Sequence, residues 1–147
     1  MRLVLSVAVS SLLMAAGMFA QMQPRLVADI PFDFYVGDKT FPKGTYELTL
    51  QRSTVSGIVL LQSVSSIGIS GAALAHVASL VPATYLPPVM VFKKYDDDHL
   101  FLKAARWSSG AQLSMELGQS RTERDLSAPK LVTQRAPETL TILARAR

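Results

Sequence analysis

A long stretch without a formally charged side chain, residues 53–92, constrains this 147-residue chain more than any other feature. Uncharged, largely apolar sequence is typical of membrane spans and of strands buried in a core. Polar residues, among them Gln62 and His76, interrupt it, and its longest apolar part, from Ile67, is shorter than the ~20 residues a spanning helix needs. We therefore expect two or three fully buried strands, one over residues 58–61, with any uncovered part forming a partner or homo-oligomer surface.

The sequence on either side of this stretch alternates apolar and polar residues with a period of two, which predicts β-strands. The alternating segments are residues 25–36, 45–51, 89–95, 99–107, 112–117, 130–134 and 139–145. Turn-forming residues such as Gly37-Asp38 separate them. The pattern predicts an all-β fold, an antiparallel β-sandwich or a partly open barrel of about seven or eight short strands.

One short helix is expected near residues 121–127. Ser120 and Glu123 have the spacing of a capping box, in which the serine oxygen accepts from the Glu123 amide and the carboxylate returns to the serine amide. Ala128-Pro129 ends the segment. Apart from this capping role, a solvent-exposed surface is the default expectation for Glu123, as for Glu47 and Glu116.

Residues 1–20 have the features of a secretory signal peptide: Arg2, an apolar run from Leu3 to Met14, and small residues up to Ala20. They predict a single β domain at residues 21–147 in a periplasmic or secreted protein of bacterial type. An uncut N-terminal membrane anchor is the alternative. The chain has no cysteine, which excludes disulfides, thiolate metal sites and a lipid anchor at a bacterial signal cut.

The formal net charge of +4 gives little indication of a partner. Lysines and arginines are interspersed with acids and form no basic stripe with interleaved aromatics. We therefore expect no nucleic-acid binding, and at most weak attraction to anionic surfaces.

The weak candidates for a metal site are Asp96, Asp98 and His99, in an acidic cluster that also contains Asp97. Consecutive aspartates point in different directions, and the glycine of a typical calcium loop is missing. A solvated hairpin tip is the more common role of such a cluster, so we expect no bound metal.

Catalytic motifs are not found. The sequence around Ser70 is not the G-x-S-x-G turn of serine hydrolases. Asp29 and Asp33, four apart on an expected strand, would lie roughly 13 Å from each other, too far for a glycosidase pair. We therefore expect no enzyme activity and no cofactor.

A binding surface is the remaining kind of site. Tyr35 points away from the apolar face of its expected strand, as a sugar-stacking ring would. The pairs Lys93-Lys94 and Arg121/Arg124 are candidates for contacts to anionic glycans or lipid headgroups. Core packing of aromatics and solvation of basic pairs are the more common roles of such residues.

Four motifs occur in a distinctive order. Residues 30–37 read I-P-F-D-F-Y-V-G and residues 42–46 read P-K-G-T-Y. An aromatic V-F-K-K-Y follows at residues 91–95, and S-R-T-E-R-D-L at residues 120–126. This order resembles a family of small secreted bacterial β proteins of uncharacterised function, with an I-P-F-x-F-x-V-G … P-x-G-x-Y opening and a closing S-x-x-E-R-x-L.

The chain departs from that family at two positions, both in expected turns. Lys43 stands where the family usually has alanine, and Asp96 stands where glycine is expected. The resemblance covers most of the chain after residue 20, except residues 53–88. It implies an exported β domain and no particular chemistry.

Three functional hypotheses follow. The leading one is an exported, non-catalytic β domain that acts by binding or assembly with a protein or glycan partner of the bacterial envelope. The second is a small hydrolase of envelope polymers that uses carboxylates gathered in a surface cleft. The third is a domain held at the membrane by an uncut N-terminal anchor.

Overall fold

The computed structural model describes residues 24–52, 56–82, 86–96, 99–109, 111–128 and 137–146, which form eleven β-strands and one α-helix. In chain order the elements are β1 (Arg25–Ile30), β2 (Phe34–Val36), β3 (Lys39–Phe41), β4 (Gly44–Arg52), β5 (Ser56–Ser63), β6 (Ser70–Pro82), β7 (Val89–Asp96), β8 (His99–Ser109), β9 (Ala111–Leu117), α1 (Arg121–Ser127), β10 (Glu138–Leu143) and β11 (Arg145–Ala146). The predicted all-β fold with one short helix is confirmed. The strand count exceeds the prediction because β2, β3 and β11 have three residues or fewer.

The strands form a single hydrogen-bonded sheet in the order β10-β7-β8-β9-β6-β5-β4-β1-β11. Neighbours along this path are antiparallel. The small strand β2 joins β8 in parallel and β3 antiparallel, which makes the sheet mixed. The two ends of the path, β10 and β11, are separated in the chain by Ala144 alone. The sheet therefore curls until its ends meet at the C-terminal segment, as in the partly open barrel of the two predicted architectures.

The core lies inside this curled sheet and is filled from one face of each strand. Alternate residues of β1, for example, are buried, as a period of two requires. Phe34 of β2 is at the centre of an aromatic cluster. Its ring centroid lies 5.5 Å from Phe41, 5.2 Å from Tyr46 and 5.5 Å from Phe92, the last two in edge-to-face geometry. All four rings are at most 1% exposed, so β2 contributes to the core despite its short length.

Gly71 allows β3 to fold over the start of β6. A Cβ atom at this position would lie 2.4 Å from Cζ of the buried Phe41 ring. The Lys39 ammonium donates to the Ser70 carbonyl beside it. Only a residue without a side chain permits this close approach.

The N-terminal alternating segment, which the sequence predicts as one strand, forms two strands, β1 and β2. The chain leaves the ladder between β1 and β2, where Pro31 has no N–H to donate. Asp33 Oδ1 accepts from the Lys43 amide at 2.8 Å, which ties this break to the turn between β3 and β4. Asp29 therefore lies on β1 and Asp33 in the link to β2, not on one strand as the sequence predicts.

The charge-free stretch contains β5, β6 and the first part of β7. Its strands are not fully buried, contrary to the prediction. Val59 and Leu61 are at most 1% exposed, whereas Ile58 and Leu74 are 41% and 76% exposed. One face of β5 and β6 lines the core and the other faces outward. In the part of the chain that the structure describes, no helix is long and apolar enough to span a membrane.

Two predicted segments lie outside the described residues: the signal peptide at 1–20 and the strand at 130–134. The strand predicted at 139–145 is observed as β10 and β11, one on each side of Ala144. The Ala144 amide donates to the Pro88 carbonyl at 2.9 Å, so this residue also remains attached to the sheet.

Candidate functional site

Two irregularities in the β7–β8 hairpin move polar side chains out of the regular alternation. Tyr95 has no register partner, because the pairs on either side of it join Lys94 to Leu100 and Asp96 to His99. Lys103 is likewise skipped between two adjacent pairs of the ladder. Extra residues of this kind bend a strand and redirect its side chains.

Both side chains converge on Glu123 of α1. The Tyr95 hydroxyl donates to Glu123 Oε1 at 2.7 Å, and Lys103 Nζ donates to Oε2 at 2.9 Å and to the Leu117 carbonyl at 3.3 Å. We call Tyr95, Lys103 and Glu123 the helix anchor. Glu123 is 2% exposed, and its side chain pairs with a Lys103 side chain that is 13% exposed. With both oxygens accepting from protein donors, the carboxylate is arranged to hold α1 against the hairpin.

The surface position expected for Glu123 is therefore wrong. The predicted helix is confirmed, with Ser120 as its N-cap accepting from the Glu123 amide at 3.1 Å. The second half of the expected capping box does not form, because the carboxylate contacts the hairpin instead of the Ser120 amide. Two stronger donors, one of them charged, outweigh a local backbone contact.

The contact with Glu123 affects the ionisation of Tyr95. Burial, followed by the hydrogen bond to Glu123 and its negative charge, raises the pKa of Tyr95 to about 12. An unfolded tyrosine ionises near pH 10. The neutral hydroxyl therefore stabilises the fold fully below pH 10, and this contribution is lost as the pH rises through 12.

Replacing Tyr95 with phenylalanine is expected to flatten the alkaline loss of stability. The variant starts less stable because one hydrogen bond to a carboxylate is missing, but its free energy of unfolding falls less steeply between pH 10 and 12. Urea unfolding across this range measures the difference. Tyr46→Phe is a second test of the same argument, since burial and then Asp33 also raise the pKa of Tyr46 and the slope is expected to flatten there too. An unchanged slope in Tyr95→Phe would contradict the assignment.

A second contact fixes the start of α1. Asp38, in the turn between β2 and β3, accepts from the Thr122 amide at 3.0 Å and from its hydroxyl at 2.9 Å through the same Oδ1 atom. These hydrogen bonds lower the pKa of the exposed Asp38 carboxyl. The helix is thus attached both to the hairpin and to the β2–β3 turn.

An aromatic layer lies beside the anchor on the outer side of the hairpin. Tyr35 is half-buried, and its ring stacks at 4.9 Å on Phe101 and at 5.7 Å on His99. Tyr95 meets Phe101 edge to face at 5.7 Å. The residue predicted as a sugar-stacking ring is therefore already stacked on two rings of its own chain.

The remaining predicted site residues do not gather at one place. Lys93 and Lys94 are half-buried on β7, where they lie opposite β10, and Arg121 and Arg124 are exposed on α1. Of the metal candidates, Asp98 is outside the described residues, and His99 stacks on Tyr35. No group of three or more potential metal ligands occurs within the described ranges.

An exposed apolar surface lies within the charge-free stretch, where the sequence analysis expects a partner surface but does not say which residues form it. On the outer face of β5 and β6, Ile58 lies directly opposite Leu74, and Leu60 lies opposite Ala72. We call these four residues the outer patch. The residues of β4 that pair with this patch are uncharged: Gln51 pairs with Ile58, and Thr49 pairs with Leu60.

An ion pair and a histidine–carboxylate contact are found at the strands around this patch. On one side, Arg25 contacts Glu47 at 3.1 Å, and Glu47 lies opposite Gln62 at the end of β5. On the other side, His76 lies 3.8 Å from Glu116 of β9. An apolar centre with polar groups around it is the usual arrangement of a protein interface.

Comparison with protein-family models, with curated proteins and with solved structures finds no match to this chain.

Proposed function

We propose that this chain is an exported, non-catalytic β domain that acts by binding or assembly in the bacterial envelope. Export is supported by the signal-peptide features of residues 1–20. Binding is supported by the outer patch, which is the single observation that carries the proposal. The domain uses this patch to contact another protein surface.

Exposure and position distinguish the outer patch from scattered apolar surface residues. Leu74 is 76% exposed and Ile58 is 41% exposed, and they face each other across two paired strands. Contiguous apolar surface of this kind is costly in water and marks interaction sites. The patch also belongs to the stretch without formal charges, so a partner docking there displaces no strongly hydrated group.

Several carboxylates that a hydrolase would need have structural contacts in the described residues. Glu123 is held by Tyr95 and Lys103, Asp33 by the Lys43 amide, and Asp38 by Thr122. These contacts support a binding role for the domain over hydrolysis of envelope polymers.

Chemical cross-linking in intact cells of the native host tests the proposal. The chain is compared with an Ile58→Lys/Leu74→Lys variant and with a Thr139→Lys/Thr141→Lys control, whose residues are exposed on β10. We expect defined adducts for the wild type and the control, and at least a tenfold loss of them for the patch variant. Circular dichroism verifies that both variants are folded. Undiminished adducts in the patch variant, or none in the wild type, would overturn the proposal.

Intact mass of the exported protein tests the location separately. A chain that begins near Gln21 is the expected result. A chain that still begins at Met1 would support the membrane-held alternative and contradict signal cleavage.

A further inference from the structure

The turn between β5 and β6, residues 64–69, presents two aliphatic side chains to solvent. Ile67 is fully exposed and Val64 is 60% exposed, whereas Ile69 is partly buried against the core. The rest of the turn is serine and glycine, so the turn contains no formal charge. We call Val64 and Ile67 the β5–β6 tip.

Hydrogen bonds at the base of the turn hold the β5–β6 tip in place. The Val64 amide donates to the Thr45 carbonyl of β4 at 2.9 Å, and the Ser66 amide donates to Ser63 Oγ at 3.1 Å. Gly68 has a φ of 93°, a conformation that favours glycine and reverses the chain toward β6. Because the turn already orders these residues, burial of the two aliphatic side chains on a partner costs little further conformational entropy.

A positive charge lies at the base of this turn. The Lys39 ammonium donates to the carbonyl of Ser70, the first residue of β6. Lys39 is exposed, and its ammonium has three donors, so it can contact a further acceptor. The adjacent acid, Asp38, is bound to the start of α1. At the neighbouring β3–β4 turn, Lys43 and Asp33 are joined through the Lys43 amide and offset each other in charge.

This order of groups along the turn fits the surface of a lipid bilayer. Exposed aliphatic groups enter the boundary between headgroups and acyl chains, and serine hydroxyls remain among the polar headgroups. A lysine at the base of the turn then lies at the level of the phosphates. Asp29, an acid at the same end of the sheet, is separated from the turn by β4.

We propose that the β5–β6 tip inserts into the surface of a lipid bilayer that contains anionic phospholipids, with Lys39 contacting their phosphate groups. Ile58 of the outer patch lies six residues from Val64 along the chain, about 20 Å at the rise of a strand. Insertion of the tip therefore leaves the outer patch above the membrane surface, free for a protein partner. The insertion goes beyond the proposed function and does not depend on it.

Sedimentation of the exported chain with lipid vesicles tests the insertion. The vesicles are phosphatidylcholine alone or an equal mixture with phosphatidylglycerol. The tip variant is Val64→Ser/Ile67→Ser, and the matched control, Ile58→Ser/Leu74→Ser, removes aliphatic side chains from the outer patch. We expect wild type and control to bind the mixed vesicles equally, and the tip variant at least tenfold more weakly, because it loses the apolar area that enters the bilayer. Circular dichroism verifies that both variants are folded.

The other outcomes contradict the insertion. A wild type that binds neither kind of vesicle overturns it and leaves the proposed function to the cross-linking test. Equal binding by the tip variant overturns it as well. Loss of binding in the outer-patch variant alone places the outer patch, not the tip, on the lipid.

The charge at the base of the turn is tested by Lys39→Gln. This variant is expected to bind the mixed vesicles about fivefold more weakly and phosphatidylcholine vesicles as the wild type does. Arg145→Gln, exposed on β11, removes the same charge elsewhere and is expected to leave binding unchanged. An equal loss in both variants would show that net charge alone attracts the chain, which overturns the contact at Lys39.

A fluorescent label at a single cysteine reports the inserted residue directly. The chain has no cysteine, so a polarity-sensitive label on Ile67→Cys reports on the tip, and the same label on Leu74→Cys reports on the outer patch. With the mixed vesicles we expect a blue shift of emission for Ile67→Cys only. A shift at both positions would mean that the outer face lies flat on the lipid, and a shift at neither would mean no insertion; both results overturn the proposal.

Discussion

Replacing Lys103 with methionine is expected to lower the free energy of unfolding by about 3 to 5 kcal/mol. The substitution keeps most of the apolar stem but leaves the Glu123 carboxylate, 2% exposed, without its positive partner. A buried charge that loses its counterion retains its desolvation cost and no longer gains the attraction. Urea unfolding measures the loss.

A second substitution separates charge from packing. In Lys103→Met/Glu123→Gln the buried charge is gone, while the glutamine oxygen still accepts from Tyr95. This double variant is expected to recover at least half of the loss. Arg25→Met is the control, since it breaks an exposed pair with Glu47 whose contribution is at most about 1 kcal/mol. A double variant no more stable than Lys103→Met would show that the ion pair is not what holds α1.

Replacing Phe34 with alanine is expected to cost about 3 to 5 kcal/mol, the range for deleting a large buried aromatic side chain. The ring is fully buried, and it contacts Phe41, Tyr46 and Phe92. The surrounding strands of the curled sheet cannot collapse into the space, because β2 is fixed on both sides by β3 and β8.

Phe34→Leu is the matched comparison for this position. It keeps much of the volume but loses the edge-to-face contacts, so a cost of about 1 to 2 kcal/mol is expected. The difference between the two variants in urea unfolding separates cavity formation from ring geometry. Equal costs would show that the core around β2 depends on aromatic contacts more than on volume.

The sequence predicts the fold class well because period-two alternation and turn residues are local signals. β4, β7, β8 and β9 follow that alternation, and the helix follows from Ser120 and the proline after Ala128. The break between β1 and β2 is less evident, since alternation continues through it. Pro31 lies at the break, but the Asp33–Lys43 contact that ties it to the β3–β4 turn exists only after the chain folds back.

The helix anchor illustrates what sequence periodicity does not reveal. Tyr95 and Lys103 converge because each is an extra residue in its strand, and a bulge shifts the alternation that the prediction uses. From the sequence, Glu123 is expected only to cap the helix. Its contacts to Tyr95 and Lys103 require the β7–β8 hairpin, which is distant in the chain. Ion pairs between distant segments have no spacing rule.

The sequence indicates the outer patch only as part of a charge-free stretch. Absence of charge is equally compatible with burial and with an uncovered face. Which residues face outward depends on which face of β5 and β6 meets the core, and this is set only when the whole sheet has formed.

The C-terminal segment has a consequence for how the sheet can open. β10 pairs with β7 and β11 pairs with β1, with Ala144 between them bonded to Pro88. One short C-terminal segment therefore pairs with both of the strands that would otherwise be the edges of the curled sheet. Detachment of this segment would expose the backbone groups of β7 and β1 at the same time. The two strands are therefore protected together, or exposed together, to pairing with other chains.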